Sequence, residues 1–225
     1  MMKIYIISDC HGNIDGLFRA LEKKKLVDSS GNRIVGTDHF IVSIGDLANC
    51  VDDSVSGDIE CLNLVGSIID SMICGNHEIP YLDISNSFAG FSWNLDINDK
   101  IQTLMSEDFI GAAFLVGNTL ISHAGLSVQF SNLEQTPEKI FNTIEDHWKA
   151  KNYNHSWFSS VGYARGGRHP IGGLFWCDFD REFMPTLFPQ IVGHTPKYVR
   201  MKDNALCIDV GAKDQDTEPF ILELA

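Results

Sequence analysis

Basic residues are scarce in this chain. Lys and Arg number 17 against 30 Asp and Glu, a formal net charge of -13 over 225 residues. That balance excludes the basic stripe with which a protein wraps a nucleic-acid backbone. Long apolar runs are missing too. No stretch of about 18 apolar residues occurs, and the start, MMKIYIISD, lacks the charged n-region, apolar core and small-residue cleavage site of a secretory leader. No membrane partner and a cytoplasmic location are therefore expected. Cysteines stand singly at positions 10, 50, 61, 74, 177 and 207, without a CxxC pair, so neither a zinc knuckle nor a secreted disulfide framework is expected. Repeats, low-complexity tracts and Pro/Gly/Ser-rich linkers are absent as well. With 44% apolar and 21% charged residues, the chain reads as one soluble domain, 1–225.

What is present alternates between elements. Residues 3–8, KIYIIS, form an apolar, partly β-branched run that ends at Asp9-Cys10-His11-Gly12. Ile14, Leu17, Phe18 and Leu21 then repeat at helical spacing over 14–26. A second strand at 40–44 precedes Gly45-Asp46, a buried helix is expected over 58–70, and a third strand at 71–74 precedes Gly75-Asn76-His77-Glu78. Two apolar runs around Gly117-Asn118 predict a hairpin over 112–123 that delivers His123 at its end. Thr136-Pro137-Glu138 opens a helix over 136–150, with Thr136 as N-cap and Pro137 at the first helical position. The stretch 161–173 reads as a long ordered loop, 189–194 as a strand ending in Gly193-His194, 198–210 as a hairpin turning at Asp203-Asn204, and 219–224 as the last strand.

Polar clusters thus stand just beyond strand ends: Asp9-Cys10-His11, Gly45-Asp46, Gly75-Asn76-His77-Glu78, Ser122-His123-Ala124-Gly125 and Gly193-His194-Thr195-Pro196. Ligand sites of α/β folds gather at such ends. Carboxylate, imidazole and carboxamide donors without thiolate suit divalent Mn, Fe or Zn. Extended-chain alternation puts Asp9 and His11 on one side and Cys10 on the other, packed inward. Glycines 45, 75 and 193 precede three of the candidate ligands, where the backbone must turn sharply or come close.

In this order the motifs, spanning residues 9 to 196, resemble the calcineurin-like metallophosphoesterases, in their branch of phosphoprotein phosphatases and symmetrical diadenosine tetraphosphatases. The resemblance implies a four-layer α/β fold, with two mixed β-sheets packed face to face and helices on both outer sides. It implies that Asp9 and His11 bind a first metal, that Asp46 bridges two, and that Asn76, His123 and His194 complete the second. His77 would be the general acid beside them. Two such cations activate a shared water and stabilise the attacking and leaving oxygens of an in-line displacement. The expected activity is hydrolysis of phosphate esters, with a phosphorylated protein or a small phosphoester as substrate and two divalent ions, Mn foremost, as cofactors.

The chain departs from the family pattern GDxxDRG and RGNHE. Asn49 stands where the aspartate that orients the acid is expected, and Cys50 and Cys74 replace two arginines. Asn49, Asp52 and Asp53 are thus alternative partners for His77. A lost arginine fork leaves phosphate to the metals or to other cations, and Arg165 and Arg168 are the candidates, Arg165 ahead. Trp176, in a stretch similar to the family's L-x-W-x-D, is read as a packing residue. Asp209 is read as a turn residue near the site. Among histidines outside the motifs, 39, 147 and 155 are read as surface residues and His169 is left open. Residues 79–110, with Phe88, Phe91, Trp93 and Phe109, are a candidate cap over the pocket or part of the core. A dinucleoside polyphosphate hydrolase and a non-catalytic scaffold on the same fold are the rival functions.

Overall fold

The alternation of KIYII already divides the first strand between two cores, and the structure, a computed structural model, realises it. Residues 2–34, 38–49, 55–131, 135–213 and 216–224 are described. In β1 (Lys3–Ile7), Tyr5 and Ile7 face a helix-side core while Ile6 faces the opposite sheet. The same division holds in β2 (His39–Ser43), with Ile41 against Val42, and in β3 (Ser71–Ile73), with Met72 against Ile73.

These strands join β4 (Ile110–Gly111) and β10 (Ile221–Leu224) in one sheet of order β10-β1-β2-β3-β4, with only the β1–β10 pair antiparallel. The second sheet runs β5 (Ala113–Val116), β6 (Thr119–Ser122), β7 (Gln190–Val192), β9 (Ala205–Cys207), β8 (Arg200–Lys202). Its β6–β7 and β7–β9 pairs are parallel, its outer pairs antiparallel. Ile6, Val42, Ile44, Ile73, Ile121, Ile191 and Ile208 form the layer between the sheets.

Helices α1 (Ile14–Lys23), α2 (Val55–Asn63), α3 (Ile79–Leu82) and α4 (Leu95–Ser106) cover the first sheet. Helix α5 (Pro137–Lys149) lies on β5 and β6, and α6 (Ser156–Ser159) follows it. Asn13 caps α1 by accepting the Gly16 N–H at 2.9 Å, and Thr136 caps α5 through the Lys139 N–H, with Pro137 at the start. The helix expected over 58–70 is shorter. It ends at Asn63, because Gly66 takes φ +87° and Val65 bridges Ile69, turning the chain toward β3. Within 79–110, Ile97, Ile101 and Leu104 of α4 belong to the main core, and Phe88 and Phe91 pack on it, while Trp93 is 48% exposed.

Candidate metal centre

Parallel neighbours end side by side, so β1, β2 and β3 deliver Asp9, His11, Asp46, Asn76 and His77 from one sheet, and β6 and β7 deliver His123 and His194 from the other. The sheets face each other, and the donors meet between them. Asp46 is central. Its Oδ2 lies 3.8 Å from His11 Nε2, 3.9 Å from His77 Nε2 and 3.4 Å from His123 Nε2. Two donor groups result, His11–Asp46–His77 and Asp46–His123–His194, each with its ligand atoms within 4.8 Å of one another. Asn76 Oδ1 and His194 Nδ1 stand 3.0 and 3.2 Å from His123 Nε2.

The donors fit divalent cations. His123 Nδ1 donates to the Ile44 carbonyl at 2.9 Å, which leaves Nε2 with a lone pair, facing the lone pair of Asn76 Oδ1. Two acceptors at that distance repel unless a cation lies between them. Asp9 Oδ1, His11 Nδ1, His194 Nε2 and Asp209 Oδ2 are buried without a hydrogen-bond partner among the described residues. Burial pushes Asp9 and Asp46 well above the usual carboxylate range, with Asp209 adding to the effect on Asp9 and Glu78 to that on Asp46. Burial also pushes His11 and His194 well below the usual imidazole range and His123 to about 3. Bound cations reverse the carboxylate shift and keep imidazole neutral for coordination.

Two glycines earn their place by contact. A Cβ at Gly193 would overlap Asp9 Oδ1 and come within 2.5 Å of Ile44 Cδ1. One at Gly75 would overlap Asp46 Oδ1 and lie 2.5 Å from its backbone nitrogen. Cys10, fully buried, points away from the ligands, with Sγ 3.8 Å from Cys61 Sγ.

His77 Nδ1 donates a hydrogen bond to the main-chain carbonyl of Asn49, so its Nε2 faces the centre. Burial pushes this imidazole down to about 4. Cys50, Asp52 and Asp53 lie outside the described residues.

A cleft of about 400 Å³ opens over the centre, lined by His11, His77, Phe88, Arg165, Trp176 and Lys213 among others. Arg165 donates Nη2 to the His194 carbonyl at 2.9 Å and to Thr195 Oγ1 at 3.0 Å, and its Nε pairs with Asp178 Oδ2 at 3.3 Å. Arg168 and His169 are exposed and do not line the cleft. The histidines read as surface residues, 39, 147 and 155, are instead half-buried. Trp176, only 5% exposed, both packs in the core and lines the cleft.

Two contributors, Glu78 and Lys213, escape a reading of the sequence, and a third, Asp209, does more than the turn read for it. Glu78 is fully buried and accepts the N–H of Asp46 and of Gly75, each at 2.9 Å, and that of Ala48 at 3.0 Å, holding the Asp46 loop to the end of β3. Its place directly after Asn76-His77 was the available signal. Asp209 bonds the Gly211 N–H at 2.8 Å, as a turn residue should, and also turns a buried, unpartnered oxygen inward. Burial pushes it up to about 6. Lys213 is brought to the cleft because Asn13 Nδ2 donates to the Ala212 carbonyl at 2.8 Å, a contact across 199 residues that no local pattern announces.

The sequence profile of the calcineurin-like phosphoesterases matches residues 2–198, and the chain belongs to that family. It is a metal-dependent phosphoesterase. No curated protein matches it. Among solved structures, a cold-active protein-tyrosine phosphatase of the psychrophile Shewanella sp. superposes with a TM-score of 0.62 at 18% identity, over 99% of this chain and 75% of that one. A putative diadenosine tetraphosphatase (TM-score 0.47, 18% identity, 93% and 83% coverage) and a serine/threonine phosphatase from Saccharomyces cerevisiae (0.49, 18%, 92% and 67%) are more distant. At these identities the likeness concerns the fold.

Proposed function

We propose that the chain is a two-metal phosphomonoesterase of the phosphoprotein phosphatase kind, acting on phosphorylated protein, and that the single domain 1–225 carries the whole reaction. The observation behind this reading is the convergence of His11, Asp46, His123 and His194, with Asn76 Oδ1 3.0 Å from His123 Nε2 and Asp9 accepting the His194 N–H, and with several of their polar atoms unmet among the described residues. Two manganese ions held there would supply Lewis acidity and an activated water. Asp46, which belongs to both donor groups, would serve both positions. The half-buried Arg165 is fixed by His194, Thr195 and Asp178, and its Nη1, which bonds nothing among the described residues, is left to hold a phosphate oxygen. His77 is oriented by the Asn49 carbonyl, and the phosphate of a bound ester brings the negative charge that favours its imidazolium form, the acid that an alkoxide leaving group requires.

A second cleft of about 330 Å³ shares His11, Asn49 and Lys213 with the first, and its other walls include Asp15, Asp58 and Glu60. Those carboxylates oppose a polyphosphate chain, which weighs against the dinucleoside polyphosphate reading. The described cysteines are free and buried, which suits a reducing cytoplasm, and no described helix is long and apolar enough to cross a membrane. The test is a panel of phosphopeptides, aryl phosphate, a phosphodiester and diadenosine tetraphosphate, offered to manganese-reconstituted protein. Highest kcat/KM on a monoester is expected, and highest on the tetraphosphate overturns the reading. Protein that binds no stoichiometric metal and hydrolyses nothing is a scaffold.

A further inference from the structure

The wall of the cleft beside His77 is aromatic. Phe88 is half-buried, its ring centroid 5.3 Å from that of His77 and 5.3 Å from that of Trp176, both edge to face. Trp176 in turn stands 6.0 Å from His194. Behind them Phe91 packs on Phe88 at 5.9 Å and on Tyr81 at 5.2 Å, so the wall is braced from the core. None of this is needed to hold metal or phosphate.

We propose that Phe88 and Trp176 form a subsite for an aromatic leaving group, the ring of an aryl phosphate or of phosphotyrosine. The inference rests on the phosphomonoesterase reading. An acid that protonates the leaving oxygen must touch it, so whatever that oxygen carries extends past His77 and meets Phe88 next. A phenyl ring is joined directly to the ester oxygen and arrives at the wall at once, where it can meet the Phe88 and Trp176 rings edge to face. A nucleobase is held a sugar away from its 5′-phosphate and overshoots this wall. An aliphatic chain reaches it but gains no edge-to-face contact. An aromatic pair and the larger buried area of a ring together amount to about tenfold in affinity.

Calorimetric titration of the manganese-reconstituted protein with phenylphosphonate, butylphosphonate and the methylenephosphonate analogue of adenosine 5′-monophosphate tests this without turnover. Phenylphosphonate should bind about tenfold more tightly than butylphosphonate and more tightly than the nucleotide analogue. Phe88→Leu, which keeps apolar bulk and loses the ring, should bring the phenyl-to-butyl ratio below about threefold while the melting temperature and metal content stay as in the wild type. Phe88→Ala provides the same comparison if the leucine variant is misfolded. Equal affinities in the wild type, an unchanged ratio in a folded Phe88 variant, or preference for the nucleotide analogue would each overturn the subsite. Turnover of a phosphoserine or phosphotyrosine peptide by the same preparation separates the two claims. Turnover without aryl preference removes the subsite and leaves the phosphomonoesterase; aryl preference in binding without turnover of any ester does the reverse.

Discussion

Gly193→Ala is the sharpest test of how the fold and the centre are joined. Gly193 precedes His194 and is not among the residues with left-handed backbone, so alanine meets no conformational penalty there. Its cost is contact. The new methyl would overlap Asp9 Oδ1 and approach Ile44 Cδ1 at 2.5 Å, where real Cβ contacts do not fall below 3.0 Å. Ile44 is fully buried between the sheets and cannot yield, so the Asp9 carboxylate, held by the His194 N–H at 2.9 Å, must move. The required shift is on the order of 1 Å, a displacement that costs about 10²-fold when it misplaces a reacting group. Overpacking adds about 2 kcal/mol of destabilisation, which for a domain of this size lowers Tm by roughly 4–8 °C. Elemental analysis of the purified variant should find the metal that depends on Asp9 depleted, and differential scanning calorimetry should find the lower Tm. Gly111→Ala is the control, because its Cβ would meet nothing nearer than the Ala113 carbonyl at 3.6 Å. A Gly193→Ala protein with full metal content and unchanged Tm would refute the contact argument, and with it the placement of Asp9 at the centre.

Asp46→Asn should abolish activity at any manganese concentration, since Asp46 alone belongs to both donor groups; turnover near wild type at saturating metal sinks the site. His77→Ala should lower kcat on an alkyl phosphate by about 10² to 10⁴-fold and on nitrophenyl phosphate far less, and equal losses with intact metal content contradict its role as the acid. Arg165→Ala should raise KM for monoesters more than it alters metal content, whereas a defect confined to Arg168→Ala would move the clamp to a residue the structure leaves exposed. Manganese affinity should fall as pH drops from about 8 to 6, by up to tenfold per unit for each proton released. The sign follows because burial holds Glu78 near about 7 and Asp209 near about 6, above the usual carboxylate values, so cations that favour the ionised forms must displace protons in that range. Affinity independent of pH would show that these carboxylates are ionised before metal arrives.

The candidate ligands are legible because each follows an apolar strand, and a strand end is a local feature. Asp9, Asp46, Asn76, His123 and His194 need only their own few neighbours to be recognised as candidates, and the parallel pairing of β1 with β2 and of β6 with β7 does the gathering. What stayed hidden depends on contacts between distant segments. Lys213 reaches the cleft through Asn13, and the aromatic wall joins Phe88 to Trp176 across two separate loops. The overlong helix at 58–70 has a different cause. Leu64, Val65 and Ile68 are buried, as a helical stripe would require, but a turn around Gly66 buries them equally well, and burial alone does not distinguish the two.

The backbone itself separates the centre from ordinary structure. Seven described residues other than glycine take left-handed φ. Lys25, Asp108 and Lys151 follow the ends of α1, α4 and α5, and Asp203 turns the β8–β9 hairpin, places where such backbone is common. The other three are His11, Asp46 and His194, with φ of 47°, 49° and 65°. At about 1–3 kcal/mol each, this conformation is sustained only if neighbours fix it from several sides. They do so from other strands: the Asp46 carbonyl accepts the Cys10 and His11 N–H groups at 3.2 and 2.9 Å, its own N–H goes to Glu78, and the His194 N–H goes to Asp9. Each strained candidate ligand is thus pinned by the motif that supplies another candidate. A fold that only presented an outer surface to a partner would gain nothing from three strained, mutually braced polar residues, of which Asp46 and His194 are buried. Cations held among the strand ends would offset that strain, and this favours the enzyme over the scaffold.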